Sequence, residues 1–190
     1  GQNQTNTPQD SIKSGRAGYT QSQLNEAATS RLPMSMVRNV KQARNGDILV
    51  ASYLGVFRYD GKSFTNITST ISSPSFWDVL EDRKGNLWFG SRDSGVYHYN
   101  GKSFQHFTTK NGLARNMALH LYEDRAGNIW IGSSRYDGKS FRNFTTKDGF
   151  PSNSIRLLLE DKTGKLWFRE QGEDLFVYDA RLNGEFGPGK

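Results

Sequence analysis

The 190-residue chain has no cysteine, only five prolines and no apolar run near the roughly 18 residues that a membrane helix needs. Without cysteine, disulfide bonds and thiol chemistry are excluded. Hydrophobic residues make up 34% of the chain, which is low, whereas aromatic residues make up 13%, which is high. A chain of this length is expected to form one domain, and this composition favours a thin, repeated β architecture with an aromatic core.

The charge balance is basic, with a net charge of +6 and an isoelectric point near 9.5. Such a balance is compatible with a polyanionic partner, for example nucleic acid, an acidic glycan or a membrane surface. However, the basic residues are spread along the chain, as Lys62, Lys102 and Lys139 are, and do not form a run. This spacing favours an ordinary solvated surface and argues against a nucleic-acid partner.

One stretch, Leu80–Phe107, shows the organisation most clearly. Turn residues separate three short apolar and aromatic runs, and a fourth run precedes them; the runs are Phe76–Leu80, Asn86–Ser91, Gly95–Tyr99 and Ser103–Phe107. Asn100-Gly101 between two alternating runs predicts a hairpin, because a type I′ turn needs positive φ at both central residues. The stretch therefore predicts four antiparallel strands, A to D, in a meander.

This unit recurs about every 40 residues. The start of strand B reads NGDILVAS from Asn45, GNLWFGS from Gly85, GNIWIGS from Gly127 and GKLWFRE from Gly164. The turn between strands C and D reads YDGKSF or YNGKSF three times, and the segment after strand D reads FTTKNGL and FTTKDGF. Four strands per repeat of this length are typical of β-propeller blades.

These motifs resemble the two-component regulator propeller repeat, known from periplasmic sensor regions of bacterial hybrid two-component systems. The resemblance covers about residues 31–186. It implies an exported sensor module that detects a nutrient, often an oligosaccharide, in the periplasm or at the cell surface, with its signal peptide removed. The chain departs from the family pattern in having four repeats instead of about seven, Leu49 in place of the tryptophan of repeat 1, and Arg169 in place of the glycine of repeat 4.

We therefore predict an all-β propeller of about four four-stranded blades, at residues 34–68, 75–108, 116–145 and 154–186. Blade 3 is expected to be irregular, because its stretch between strands B and C is shorter than that of blade 2 and leaves little room for strand C. Residues 1–30 are polar and predicted to be largely flexible, although Tyr19 could end a strand that closes a ring. Residues 187–190 are predicted to be a frayed end. The sequence leaves open whether four blades close alone, form an eight-bladed homodimer or belong to a longer propeller.

Recurring polar residues are best explained by structure. The acidic pairs Glu81-Asp82, Glu123-Asp124 and Glu160-Asp161 share one register, whereas a catalytic pair is needed only once, so we expect the aspartates to accept turn amides. Trp88, Trp130 and Trp167 also share a register and predict packing between blades. The three histidines lack metal-ligand spacing, and no phosphate loop or nucleophile motif is present, so no metal or cofactor is predicted.

Departures from the repeat are the better guide to function, since the repeat itself encodes the scaffold. Strand A of each blade lines the propeller axis, and the loops between strands B and C and between blades reach the same face. A tryptophan, arginines and other polar groups there suit a sugar or a small anion. The predicted ligand-binding residues are Arg38, Trp77, Asp78, Arg92, His120, Arg156 and Arg169.

Three functional hypotheses follow. The first is a non-enzymatic exported module that binds an oligosaccharide, a small anionic ligand or a protein partner. The second is a propeller enzyme, a hydrolase or lyase acting on a polysaccharide through residues such as Asp78, His120 and Arg156. The third is a structural module whose blade edges mediate oligomerisation.

Overall fold

The computed structural model of the protein describes residues 35–71, 75–152, 154–170, 174–179 and 186–188. Within these ranges the chain forms four antiparallel four-stranded sheets in chain order. The N-terminal segment 1–30, with the strand predicted to end at Tyr19, lies outside the described residues. The predicted all-β propeller architecture of about four blades is confirmed.

Each blade is an up-and-down meander whose first strand is innermost. Blade 1 contains β1 Val37–Gln42, β2 Ile48–Ser52, β3 Gly55–Tyr59 and β4 Phe64–Asn66. Blade 2 contains β5 Phe76–Glu81, β6 Leu87–Ser91, β7 Val96–Tyr99 and β8 Phe104–Phe107. Blade 3 contains β9 Leu121–Glu123, β10 Ile129–Ile131, β11 Ser134–Tyr136 and β12 Phe141–Asn143. Blade 4 contains β13 Ile155–Glu160, β14 Leu166–Glu170, β15 Leu175–Tyr178 and β16 Phe186–Pro188.

Two blades differ from a regular repeat. All four strands of blade 3 have three residues, and its strand C, β11, is short but pairs on both sides with β10 and β12. In blade 4 the last strand, β16, runs to Pro188 and pairs with β15. The predicted frayed end at residues 187–190 is therefore wrong for residues 187 and 188, which belong to the sheet.

The turn between strands C and D is longer than the predicted two-residue hairpin. In blade 2 it spans residues 100–103, because β7 ends at Tyr99 and β8 begins at Phe104. The Asn100 carboxamide oxygen accepts the backbone N–H groups of Lys102 and Ser103, at 3.0 and 2.9 Å. Gly101 has φ of 91°, a conformation that favours glycine. Side-chain capping, and not a type I′ turn, therefore fixes this hairpin.

The repeated FTTKNGL segment forms the connection from one blade to the next. Thr108 caps a short 3-10 turn, Thr109–Asn111, with a reciprocal capping box that involves Asn111. Thr145 and Asp148 form the same box in the next repeat. The apolar residues that follow these turns, Leu113 and Phe150, are buried between neighbouring blades. The motif thus fixes how each blade leads into the next.

The core consists of layers between consecutive blades. Between blades 1 and 2, Leu49 and Val56 meet Phe76 and Phe89. Trp88 packs on Tyr136 across the next boundary, with ring centroids 5.6 Å apart. Trp130 packs edge-on against Phe168 across the third, at 5.2 Å. The prediction that the strand-B tryptophans pack between blades is confirmed for Trp88 and Trp130, whereas Trp167 is half-buried on the outer face of blade 4.

The repeated aspartates have the predicted structural role. Asp82 accepts the backbone N–H groups of Lys84 and Asn86 and the indole N–H of Trp88, the last at 3.0 Å. Asp124 and Asp161 accept the indole N–H groups of Trp130 and Trp167 in the same way, both at 2.9 Å. Each aspartate therefore ties a turn to the tryptophan of its own blade.

The repeated glutamates join one blade to the next. Glu81 accepts the backbone N–H of Arg44 at 2.7 Å, and Glu123 accepts that of Arg83 at 2.9 Å. The Arg83 guanidinium also donates to the backbone carbonyls of Asp124 and Arg125. We call this arrangement of an arginine on one blade and a glutamate on the next the arginine clasp. It recurs between blades 3 and 4, where Glu160 accepts the backbone N–H of Arg125.

The innermost strands follow one another around the axis. Contacts join β1 to β5, β5 to β9 and β9 to β13, and within the described ranges β1 and β13 make no comparable contact. Among these same residues, no helix is long and apolar enough to cross a membrane.

Candidate ligand-binding site

The site lies at the end of the blades where each strand A begins and the adjacent strand B ends. Antiparallel pairing places these two strand ends side by side in every blade, as Val37 opposite Ser52 and Ile155 opposite Glu170 show. The connection from the preceding blade reaches the same end. Polar residues that interrupt the repeat are therefore gathered near the axis.

Asp78 is the centre of a polar network that joins three blades. Its side chain is fully buried and accepts from Asn39 Nδ2 and Lys41 Nζ, at 2.7 and 2.9 Å, and from the Leu121 backbone N–H at 2.7 Å. His120 Nδ1 lies 3.3 Å from Asp78 Oδ2. Burial opposes ionisation, but the hydrogen bond from His120 and the charge of Lys41 hold the pKa of Asp78 below its usual value. Asp78 thus stabilises the axis and is not open to a ligand.

Trp77 and Arg38 pack on each other. Each is the extra residue of an irregularity in the innermost strand, between Phe76 and Asp78 in blade 2 and between Val37 and Asn39 in blade 1. The Arg38 guanidinium carbon lies 4.0 Å from the Trp77 ring centroid, a cation–π contact. Because the guanidinium lies over the ring, that face of Trp77 is not available for a sugar to stack on.

Blade 4 has a different register. Its irregularity lies between Leu157 and Leu159, so Arg156 pairs directly with Arg169. Counting residues back from the acidic pair makes Arg156 the equivalent of Trp77. The strand pairing instead makes it the equivalent of Asp78, whose partner is Gly90.

A cavity of about 210 Å³ lies between blades 3 and 4 at this end. Its ionisable lining consists of Arg115, His120, Arg156, Arg169 and Glu170. The remaining lining is small or apolar, and comprises Ala114, Met117, Leu119, Ile131, Gly132, Ser133, Ser134, Ser154 and Ile155. Three of the predicted residues, His120, Arg156 and Arg169, therefore share one cavity.

The other predicted residues lie elsewhere. Arg38, Trp77 and Asp78 do not line the cavity, although Asp78 contacts His120, which is part of the lining. Arg92 is exposed in the turn after β6, where its Nε lies 3.8 Å from Asp93 Oδ1. In the described part of the chain, no group of three histidine, aspartate or glutamate side chains could hold a metal ion.

The residues predicted from the sequence do not include the whole cavity lining. Arg115 lies on the connection into blade 3, and its Nη1 donates to Ser154 Oγ at 2.7 Å. Glu170 ends β14 beside Arg169. Arg115 is recognisable in the sequence as a loop arginine, but only the tertiary structure shows that it faces Ser154 across the blade boundary.

The fold and the cavity define a class: an all-β propeller module with a polar, arginine-lined cavity at one end of its axis. The chain also carries the family's own repeat. The model of the two-component regulator propeller family matches residues 70–93, 112–135 and 149–169. The resemblance to this family that the sequence predicts is therefore confirmed for these three repeats.

Solved structures share the fold. The extracellular domain of a protein described as a hybrid two-component system of B. thetaiotaomicron is 23% identical, with a TM-score of 0.67 over 82% of this chain and 23% of that one. The extracellular domain of a one-component system of the same organism is 18% identical, with a TM-score of 0.63 over 76% of this chain and 23% of that one. This chain therefore spans about a quarter of the length of each.

A more distant likeness is to a catalytically inactive virginiamycin B lyase of Staphylococcus aureus with quinupristin. It is 14% identical, with a TM-score of 0.62 over 86% of this chain and 59% of that one. At these identities the likenesses concern the fold. A search of curated proteins finds no significant match.

Proposed function

We propose that the chain is a non-enzymatic recognition module, exported to the periplasm or cell surface, that binds a small extracellular ligand such as a sugar in the cavity between blades 3 and 4. The observation that carries this proposal is the cavity itself. It is concave, partly apolar and lined by a few convergent polar groups, as ligand sites are. The similarity to extracellular domains of sensor systems supports an exported location.

Binding, and not turnover, is proposed because the repeated carboxylates are engaged in turns and clasps. Asp78, which the enzyme hypothesis used, is fully buried and accepts hydrogen bonds from blades 1 and 3. His120 is directed to it. This arrangement stabilises the axis and leaves neither group free to act as a general base.

The test is calorimetric binding of neutral and acidic sugars to the wild type and to a variant with a filled cavity. Met117→Trp adds bulk to an exposed methionine of the cavity lining. Met36→Trp is the matched control, because Met36 is equally a surface methionine but lies outside the cavity. We expect Met117→Trp to weaken binding at least tenfold and Met36→Trp to leave it unchanged. Equal effects of the two variants, or conversion of a bound sugar into products, would contradict the proposal.

A second candidate is assembly into a homodimer, and a specific observation favours it. Exposed large apolar side chains are concentrated on the two end blades: Met36, Val37 and Val40 on blade 1, and Leu159 and Leu175 on blade 4. Two copies placed head to tail would bring these surfaces together. Light scattering on dilution tests this: a stable species near twice 21.5 kDa is expected, and a monomer at every concentration would refute it.

A further inference from the structure

Each of the first three blades has a small residue at one position in strand B or directly after it. These residues are Ala51, Gly90 and Gly132. Ala51 is fully buried, and a Cβ atom on Gly90 would collide with the backbone carbonyl of Ala118 in blade 3. At Gly132, a Cβ would lie 3.5 Å from the Ile155 carbonyl oxygen of blade 4. The close approach of the next part of the chain therefore requires a glycine at Gly90, whereas a Cβ atom at Gly132 would make an ordinary van der Waals contact.

Blade 4 has Arg169 at this position, so the chain departs from the pattern of a small residue at the place where the cavity lies. Arg169 pairs directly with Arg156 across β13 and β14. Directly opposed residues project to the same face of a sheet, which places both arginine side chains on one face. Like charges in that position destabilise a sheet.

No described acidic side chain neutralises this pair. Neither Arg156 nor Arg169 takes part in an ion pair with another described residue, and both are exposed. The arginines of the clasps behave differently. Arg44 and Arg83 each face a glutamate of the next blade. Scaffold stability accounts for the clasps but not for the opposed arginines of blade 4.

The cavity as a whole keeps an excess of positive charge. Arg115, which is oriented by Ser154, is balanced by Glu170, the single carboxylate among the lining residues, so the charges of Arg156 and Arg169 remain uncompensated. A concave wall with an excess of one charge raises the local concentration of the opposite charge. Guanidinium groups also match the planar geometry of a carboxylate, which they bind with paired hydrogen bonds.

We propose that Arg156 and Arg169 form an anion clamp that binds the carboxylate of a sugar acid, and that replacement of the repeat's small residue by Arg169 created this specificity. The inference rests on the proposed function, since it assumes that the cavity binds a ligand. The cavity is smaller than the about 300–1,000 Å³ typical of small-molecule sites, so it suits one sugar ring.

The experiment compares matched acidic and neutral probes: glucuronate with glucose, and galacturonate with galactose. Calorimetry is run on the wild type, Arg156→Gln, Arg169→Gly and the control Arg92→Gln, with circular dichroism to confirm folding. Arg169→Gly restores the residue that the repeat has in blades 2 and 3. Arg92 is an exposed arginine of a strand B–C turn and lies outside the cavity.

We expect each acid to bind at least tenfold more tightly than its neutral partner, with weaker binding as salt increases. Arg156→Gln and Arg169→Gly should each abolish the preference for the acid, while Arg92→Gln keeps it. If neutral and acidic sugars bind equally, or if Arg92→Gln removes the preference as fully, the clamp is refuted although the cavity still binds sugar. If none of the four sugars binds, the clamp and the sugar-binding proposal both fall.

Discussion

The contribution of the hydrogen bond between Asp82 and Trp88 can be tested by mutation, because blade 1 of the same chain has other residues at both equivalent positions. Both side chains are buried, with 6% and 3% of their surface exposed, and the carboxylate accepts the indole N–H at 3.0 Å. Blade 1 has Ala43 and Leu49 at the two corresponding positions, as the strand pairing and the turn hydrogen bond of Ala43 show. Donor and acceptor are thus both missing there.

This pairing predicts a strong coupling in a double-mutant cycle of Asp82→Ala and Trp88→Leu. The single change Asp82→Ala removes hydrogen bonds to the turn and leaves the indole N–H buried without an acceptor, which costs about 1–3 kcal/mol for that group alone. Trp88→Leu loses the packing of the ring against Phe107 and Tyr136. In the double variant the orphaned indole is gone, so the two costs should overlap by about 1–3 kcal/mol.

The assay is urea unfolding of the four proteins followed by far-ultraviolet circular dichroism, which does not depend on tryptophan fluorescence. The free energy of unfolding of the double variant should exceed the additive value by the coupling energy. Additivity within about 0.5 kcal/mol would show that the carboxylate acts only on the turn and that the joint loss of both residues in blade 1 has another cause.

Three further predictions concern other parts of the scaffold. Gly90→Ala should lower the free energy of unfolding by more than about 2 kcal/mol, because the added methyl group collides with the backbone of Ala118. Gly101→Ala has open space around it and should cost only about 1 kcal/mol of backbone strain. Equal losses for the two variants in urea unfolding would refute the close approach at Gly90. Folding lowers the pKa of Asp78, so its ionised form stabilises the protein above the usual pKa of 3.8, and this contribution is lost as the pH falls through the pKa of the folded state. The difference in stability between the wild type and Asp78→Asn, measured by thermal melting, should therefore be constant at neutral pH and become smaller in acid. A difference that grows in acid would contradict this prediction. Arg83→Met breaks an arginine clasp at the surface and should lower the free energy of unfolding by about 1 kcal/mol, mostly because the hydrogen bonds to the backbone carbonyls of Asp124 and Arg125 are lost. If Arg83→Met has no effect on stability in a Glu123→Gln background, the ion pair with Glu123 is the main contribution instead.

Sequence and structure agree most closely where the repeat is intact. The strands predicted at Phe76–Leu80 and Asn86–Ser91 are found at Phe76–Glu81 and Leu87–Ser91. Local signals suffice there, because turn residues, alternating apolar residues and the recurring tryptophan all favour one meander. The role of the repeated aspartates in the turns also follows from repetition.

The candidate site could be predicted only in part. The repeat's departures directed attention to the end of the propeller where the cavity lies, and to three residues of its lining, His120, Arg156 and Arg169. Counting along the chain could not show that the extra residue of strand A occupies a later position in blade 4 than in blade 2. The position of an extra residue in a strand has no constant sequence signal. The same counting grouped Trp77 and Asp78 with the ligand site, whereas Trp77 stacks on Arg38 and Asp78 is buried in the axis.

The amino-acid sequence by itself determined the blade and its repetition, since both depend on contacts within about 40 residues of chain. Only the tertiary structure decided which departures from the repeat meet. Arg115 reaches Ser154, and Asp78 reaches Lys41 and His120, across blade boundaries whose partners are separated by a whole repeat. The positions of such partners depend on how one blade packs on the next, and that packing sets where the cavity opens and which arginines line it.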